Sequence, residues 1–322
     1  MTIGKIDVRH IAFAGIVALC LIIPYIIHNT YYISFFILIL TYVLISGGWN
    51  IIGGFAGYNS FGHSFYFGIG AYATAFLIYT FNLNIFVALA IGTAVAGLMA
   101  LPLGYPALRL RGLYFALSTV PISYVGLYLI LLLPYFGGAQ GILIKPIFTF
   151  DPFTNAMLYY VLFLVAAIST VLMTYKVQHS KFGLGLLSIR EDEESARTCG
   201  VHVARLKVYA YALSAIPLAL AGGLYVCYNG YIDPPTTFSL SVSLYAIGLT
   251  YIGGRATVLG PIVGSIVYIF FSEYFRYSVL GSIPGLDTVI LAIVLILIIL
   301  LVPQGIVGYL RQKFLVLRRF IF

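Results

Sequence analysis

Asn59, Ser60, His63 and Ser64 crowd into a glycine-rich stretch, Gly53-Gly54-Phe55-Ala56-Gly57-Tyr58-Asn59-Ser60-Phe61-Gly62-His63-Ser64. Each can take part in hydrogen bonds without carrying a fixed charge, which suits weak, transient solvation of a polar molecule better than bond breaking. Together with Gly57 and Gly62 they are the candidate lining of a path. Packing between helices is the competing explanation, because small residues at four-residue spacing, as in Gly53-x-x-x-Gly57 and Gly260-x-x-x-Gly264, let helix backbones approach closely. Catalytic chemistry finds no footing. An intramembrane enzyme needs paired carboxylates, a His-Glu-x-x-His pair or a nucleophile with its base, yet no acidic residue occurs between Asp7 and Asp151 and the five histidines are isolated. The sole Gly-Lys pair is Gly4-Lys5, so there is no Gly-x-x-x-x-Gly-Lys-Ser/Thr phosphate loop and no ATP hydrolysis by that route. Cys20, Cys199 and Cys227 are odd in number and form no Cys-x-x-Cys pair, which leaves neither a disulfide framework nor a zinc knuckle. The sequence asks for no cofactor and no metal.

A second concentration of chemistry is Lys176 to Lys207, KVQHSKFGLGLLSIREDEESARTCGVHVARLK, which holds ten of the chain's 26 charged residues. Leu184, Leu187, Ile189, Ala196 and Val201 give it moderate apolar content, and Glu191 to Glu194 form a carboxylate-rich run suited to a helix start. A short amphipathic helix in a cytoplasmic loop is the expected form.

The elements that must hold these two regions are read from composition. Of 322 residues, 62% are hydrophobic and 8% charged, against about 25% charged in an ordinary soluble domain. No Asp, Glu, Lys or Arg occurs from Ile11 to Leu108. Backbone groups in a bilayer must satisfy one another, and Val289 to Val302 is apolar at every position, so membrane helices are expected and an alternating barrel is excluded. About ten elements follow: Ile11–Ile27, Tyr32–Ile52, Phe61–Phe81, Ile85–Gly104, Leu113–Leu133, Met157–Tyr175, Val208–Tyr228, Phe238–Ile252, Ala256–Phe271 and Thr288–Val302. The eighth is short enough to be re-entrant or tilted. The fold class is thus all-α and polytopic, one membrane domain over residues 1–322, with a cytoplasmic loop at 176–207 and a basic cytoplasmic tail at 311–322.

With the N-terminus inside, fifteen of the seventeen Lys and Arg fall on the cytoplasmic side, and only Lys145 and Arg276 fall outside. Both termini are expected in the cytoplasm. The +8 net charge therefore reflects membrane orientation, not nucleic acid, since the basic residues lie between apolar segments with no aromatic-basic stripe. Asp233, Glu273 and Asp287 sit at expected loop edges, so no buried carboxylate offers a proton relay. A permease driven by separate ATPase subunits fits, while a passive channel or a sodium-coupled carrier stays open. Ile52-Gly53-Gly54-Phe55-Ala56 and Ile252-Gly253-Gly254-Arg255-Ala256 form a faint internal echo, both copies on one side.

Four stretches carry a resemblance: GWNIIGGFAGYNSFGHSFYFGIGAY (Gly48 to Tyr72), LRLRGLYFAL (Leu108 to Leu117), SKFGLGLLSIREDEESARTCGV (Ser180 to Val201) and TYIGGRATVLGPIVG (Thr250 to Gly264), with VPQGIVG (Val302 to Gly308) as a weaker fifth. The chain resembles the permease subunits of branched-chain amino-acid ABC transporters, the LivM/LivH family, and is closer to the LivM branch. That resemblance implies a cell-membrane complex with a second, homologous permease, two ATP-binding subunits and an extracytoplasmic substrate-binding protein. It also implies a coupling helix with an EAA-x-x-x-G pattern, matched by Glu194, Ser195, Ala196 and Gly200 with Ser for one Ala. The downstream I-x-L-P portion is not matched, Ala210, Ala212 and Leu213 standing there. Tyr58 stands where Gln is common, Pro121 is expected to interrupt the helix after LRGLYFAL, and Phe136 to Gly141 keep part of a glycine-rich signature. Hydrophobic amino acids are the implied cargo, with urea or short amides as the alternative.

Overall fold

A computed structural model describes residues 29–144, 151–277 and 304–313, with a few isolated positions elsewhere. Helices account for nearly all of it. In chain order they are α1 (Thr30–Trp49, prolonged by a π-helical turn, Asn50–Phe55), α2 (His63–Phe81), α3 (Ile85–Ala107), α4 (Gly112–Leu132), α5 (Pro152–Gln178), α6 (Lys181–Glu191), α7 (Glu193–Thr198), α8 (Val203–Asn229), α9 (Pro234–Thr237), α10 (Leu240–Gly253), α11 (Leu259–Tyr277) and α12 (Gly305–Lys313). One strand pair breaks the all-helical expectation: β1 (Ile142–Leu143) runs antiparallel to β2 (Tyr231–Ile232), Ile142 opposite Ile232.

The helix boundaries follow from polar residues between apolar runs. Asn29, Asn84, Asp151 and Ser180 each accept a hydrogen bond from a backbone amide of the first turn at the starts of α1, α3, α5 and α6. Asn82 and Gly230 close α2 and α8 in the left-handed conformation. Among the described residues six helices are long and apolar enough to cross a membrane: Thr30–Phe55, α2, α3, α4, α5 and α8. The 14 residues of α10 span roughly 21 Å at 1.5 Å each, short of a 30 Å hydrocarbon layer, as its sequence length suggested. The expected segment Ile11–Ile27 lies almost wholly outside the described residues, as do about half of Thr288–Val302 and most of the 311–322 tail.

Three expectations need correction. Helix α4 runs unbroken through Pro121, because membrane helices tolerate a proline where neighbouring groups support the freed carbonyl. The polar loop is narrower than 176–207: Lys176 completes α5, Lys207 belongs to α8, and two short helices, α6 and α7, replace the single one. Asp192 divides them, since its side chain accepts from the Ser195 amide and starts a new helix. Glu273 is not at a loop edge but within α11, where its carboxylate accepts from the Tyr31 hydroxyl at 2.9 Å.

α2 and α8 form the central pair. A Cβ on Gly70 would run into the Ala219 backbone and one on Gly222 into the Phe67 carbonyl, so the two backbones touch through glycine. In the glycine-rich stretch α1 ends in the π turn, which irregular backbone follows to Gly62. The ends of the two echoed segments adjoin there: Asn50, two residues before the first, donates through its side chain to the Thr257 carbonyl just after the second and accepts from the Ala256 amide, both at 2.9 Å.

Candidate functional site at the charged end

The α1–α2 connection, the α3–α4 turn and the α5–α8 segment converge at one end of the bundle. Their hub is Lys207, on the first turns of α8 and only 4% exposed. An unpaired buried ammonium would cost several kcal/mol, and all three of its donors are used. They reach the Tyr58 hydroxyl at 2.8 Å, the Leu108 carbonyl at 2.9 Å and Glu193 Oε1 at 3.2 Å. The ammonium also lies 4.6 Å from the centre of the Tyr58 ring.

Glu193, the first residue of α7, gathers the other partners. The Tyr58 hydroxyl donates to its Oε2 at 2.5 Å, Arg111 Nε approaches that oxygen at 3.4 Å, and Arg197 Nη2 lies 3.3 Å from Oε1. Burial pushes the Glu193 carboxyl up, but the Tyr58 hydrogen bond and the Lys207 charge outweigh it and hold the group below the usual range. Arg111 also bonds Glu194 at 3.2 Å. On α6, Arg190 donates to the Gly54 carbonyl at 3.1 Å, which ties the loop to the end of the π turn. A polar cleft of about 420 Å³ opens here, lined by Gly57, Tyr58, Arg190, Glu193 and Arg255 among others.

The four coupling candidates therefore stand in different settings. Glu194 and Ser195 face outward on α7, Ala196 is buried beneath them, and Gly200 follows the helix with φ at 83° in open space. Sequence reasoning did not find Tyr58, Glu193, Arg111 and Lys207 as a unit. The available signal was Lys207 itself, a charge followed by none until Asp233 and thus set into the mouth of a membrane helix.

The candidate path residues divide as well. Ser60, His63 and Ser64 are fully enclosed within this one chain. His63 Nε2 and the Ser214 hydroxyl of α8 are 2.8 Å apart, the Ser64 hydroxyl donates to Ser123 of α4 at 2.7 Å, and the Ser64 amide donates to Ser243 of α10 at 2.8 Å. The Trp49 indole donates to the Ser60 carbonyl at 2.8 Å. Gly62 is buried against Thr119, where a Cβ would press on the carbonyl. His63 Nδ1 is left without a partner. Gly57, by contrast, is exposed, and Asn59 is half-exposed with its Oδ1 accepting from the Tyr251 hydroxyl at 3.2 Å.

Comparison with known proteins places this geometry in a context. The chain is 25% identical over 308 residues to the high-affinity branched-chain amino acid transport system permease protein LivM of Escherichia coli (strain K12), covering 86% of this chain and 70% of that protein. It is 24% identical to LivM of Salmonella typhimurium over 85% of this chain and 69% of the relative. A 146-residue part is 30% identical to the probable branched-chain amino acid transport permease protein LivH of Methanocaldococcus jannaschii, covering 44% of each. No solved structure matches significantly. The family described as the branched-chain amino acid transport system / permease component matches residues 31–299, and the chain belongs to that family of membrane permeases.

Proposed function

We propose that the protein is the permease subunit of an ABC importer for branched-chain or related hydrophobic amino acids. It sits in the cell membrane with both termini and the charged end in the cytoplasm. In this reading it works beside a second, homologous permease, two ATP-binding subunits and an extracytoplasmic binding protein, while its own chain performs no catalysis. The observation that carries the proposal is the buried Tyr58–Glu193–Lys207 link. A motor gripping Glu194 and Ser195 on the outer face of α7 would pull on Glu193, and through Tyr58 on the loop that joins α1 to α2. The loop at residues 179–202 is the coupling element, with Glu194, Ser195 and Gly200 its grip and Ala196 packed beneath them.

Within the path, Gly57 and Asn59 face the opening, and Ser60, Gly62, His63 and Ser64 hold the kinked wall behind them. Weak neutral contacts replace part of the hydration of an ammonium and a carboxylate without trapping the cargo. A fixed charge in that wall would hold it too tightly.

The test is leucine uptake into proteoliposomes containing the full complex, ATP and binding protein. Uptake should be competed by isoleucine and valine. Glu194→Lys and Gly200→Trp should each abolish transport and stimulated ATP hydrolysis while the chain remains inserted. Full activity in both variants would overturn the coupling role, and absence of ATP-dependent leucine uptake would overturn the cargo. Orientation is read from exposed Cys199, which an impermeant maleimide should label only from the cytoplasmic side.

A further inference from the structure

The outer faces of α3, α5 and α8 leave between them an apolar groove of about 1100 Å³. Its walls run from Phe86 to Leu101 on α3, from Leu162 to Ser169 on α5 and from Tyr209 to Leu224 on α8, and Phe182 of α6 closes its charged end. Fifteen residues of helix rise roughly 22 Å, more than the ~15 Å of hydrocarbon in one leaflet. Small residues such as Ala94, Gly97 and Ala166 form part of the lining, while Leu98 and Val165 stand exposed at the rim.

Three cations mark the mouth. Lys176 follows Ser169 by seven residues on α5, and Arg205 precedes Tyr209 by four and Ala212 by seven on α8, so both lie on the helix faces that line the groove. Lys181 adjoins Phe182 in sequence. All three are exposed, none has an ion pair among the described residues, and no acidic residue lines the groove. Two described parts of the chain, Cys20 and α11, make their contacts elsewhere. Tyr160 donates to the Cys20 carbonyl at 2.7 Å, and Tyr160 lies about 200° around α5 from Leu162, on the far face. Helix α11 packs on α1, α10 and α12.

We propose that this groove is a binding site for an anionic phospholipid, its acyl chains between α3, α5 and α8 and its phosphate held by Lys176, Lys181 and Arg205. An apolar slot long enough to hold one leaflet's acyl chains and ending in cations without ion pairs complements such a lipid in both parts. A zwitterionic lipid would fill the slot but gain less at the mouth.

The chain has a single tryptophan, Trp49, fully buried in the core. Leu98→Trp adds a reporter at the groove. In the assembled transporter, reconstituted in vesicles, brominated phosphatidylglycerol should quench the introduced indole at several-fold lower mole fraction than brominated phosphatidylcholine. Lys176→Gln with Lys181→Gln and Arg205→Gln should bring the ratio to about one, and high salt should narrow it in the parent. Equal quenching by both lipids in the parent would overturn the charged mouth. Quenching by neither would overturn the lipid site and point to the second permease as the groove's cover. Should the triple Gln variant fail to fold, the parent's lipid ratio and its salt dependence still decide.

Discussion

At the charged end, Lys207 and Glu193 place opposite full charges in contact at 3.2 Å, with a tyrosine hydroxyl bridging them. A few residues along the same chain, Ser60, His63 and Ser64 make a second polar knot from neutral groups, tied to Ser123, Ser214 and Ser243. The first lies beside a polar cleft, where partial hydration offsets the cost of charge. The second lies where water does not reach, and hydroxyl and imidazole groups meet their needs at lower desolvation cost. The difference separates two duties along one segment. The ionic knot ties α7 to α8 and to the α1–α2 connection, and the neutral knot fixes α2 against α4, α8 and α10.

The sharpest way to break this comparison is to remove the hub. Lys207→Ala leaves the buried Glu193 carboxylate with only its arginine and tyrosine partners and orphans the Leu108 carbonyl. Breaking a buried pair costs about 3 to 5 kcal/mol, and the remaining arginines argue for the lower figure. Denaturant titration of the purified permease should show a loss of about 3 kcal/mol. Glu193→Leu combined with Lys207→Met should lose much less than the two single changes together. A loss under about 1 kcal/mol for Lys207→Ala would mean that the ionic knot is not a structural hub.

Next in size is the neutral knot. His63→Ala removes the Ser214 hydrogen bond and leaves a cavity among the Tyr66 and Tyr211 rings, whose centres lie 5.6 and 5.4 Å from the imidazole. About 2 kcal/mol of stability should go, with the transport rate per folded complex retained. Asn59→Ala should do the reverse, changing stability by less than about 0.5 kcal/mol while lowering transport. Lost transport with intact stability in His63→Ala would move that residue from the wall to the path.

Much of the fold was legible because its signals are one-dimensional. Uncharged runs gave the helices, and their ends fell at Asn29, Asn84 and Asp151, where capping side chains stop one run and start another. The site was half legible. His63 and Ser64 stood out as polar residues in an apolar region, but whether they face a path or a neighbouring helix depends on rotation about α2, and a helix nearly as apolar on every side carries no phase. The Lys207 link was hidden for another reason: Tyr58, Leu108, Glu193 and Lys207 are brought together from four places in the chain, and no spacing records that.

A smaller effect belongs to Gly200, which follows α7 at a φ of 83° with no atom near an added Cβ. Gly200→Ala should cost about 1 kcal/mol through backbone strain alone. Because the space is open, the change should leave the ionic knot intact and separate strain from bulk. Stimulated ATP hydrolysis should fall less than in Gly200→Trp, and equal loss in both would place the requirement on the backbone turn.

The smallest effect is a pH dependence carried by the ionic knot. In the folded protein the Glu193 carboxyl is held below its usual range, despite burial, by the Tyr58 hydroxyl and the Lys207 ammonium. A group whose pKa is lowered by folding contributes stability that is present above its unfolded value, about 4.3 for Glu, and that disappears as pH falls through the folded value. The unfolding midpoint should therefore decline as the pH falls below about 5. Asp192 is also held low, by the Ser195 side chain and amide, so part of the decline belongs to it and persists in any Glu193 variant. Glu193→Gln should start from a lower midpoint and show a shallower acid slope. Identical slopes in the parent and Glu193→Gln would remove Glu193 from the ionic knot's energetics and leave Lys207 held by Tyr58 and Leu108 alone.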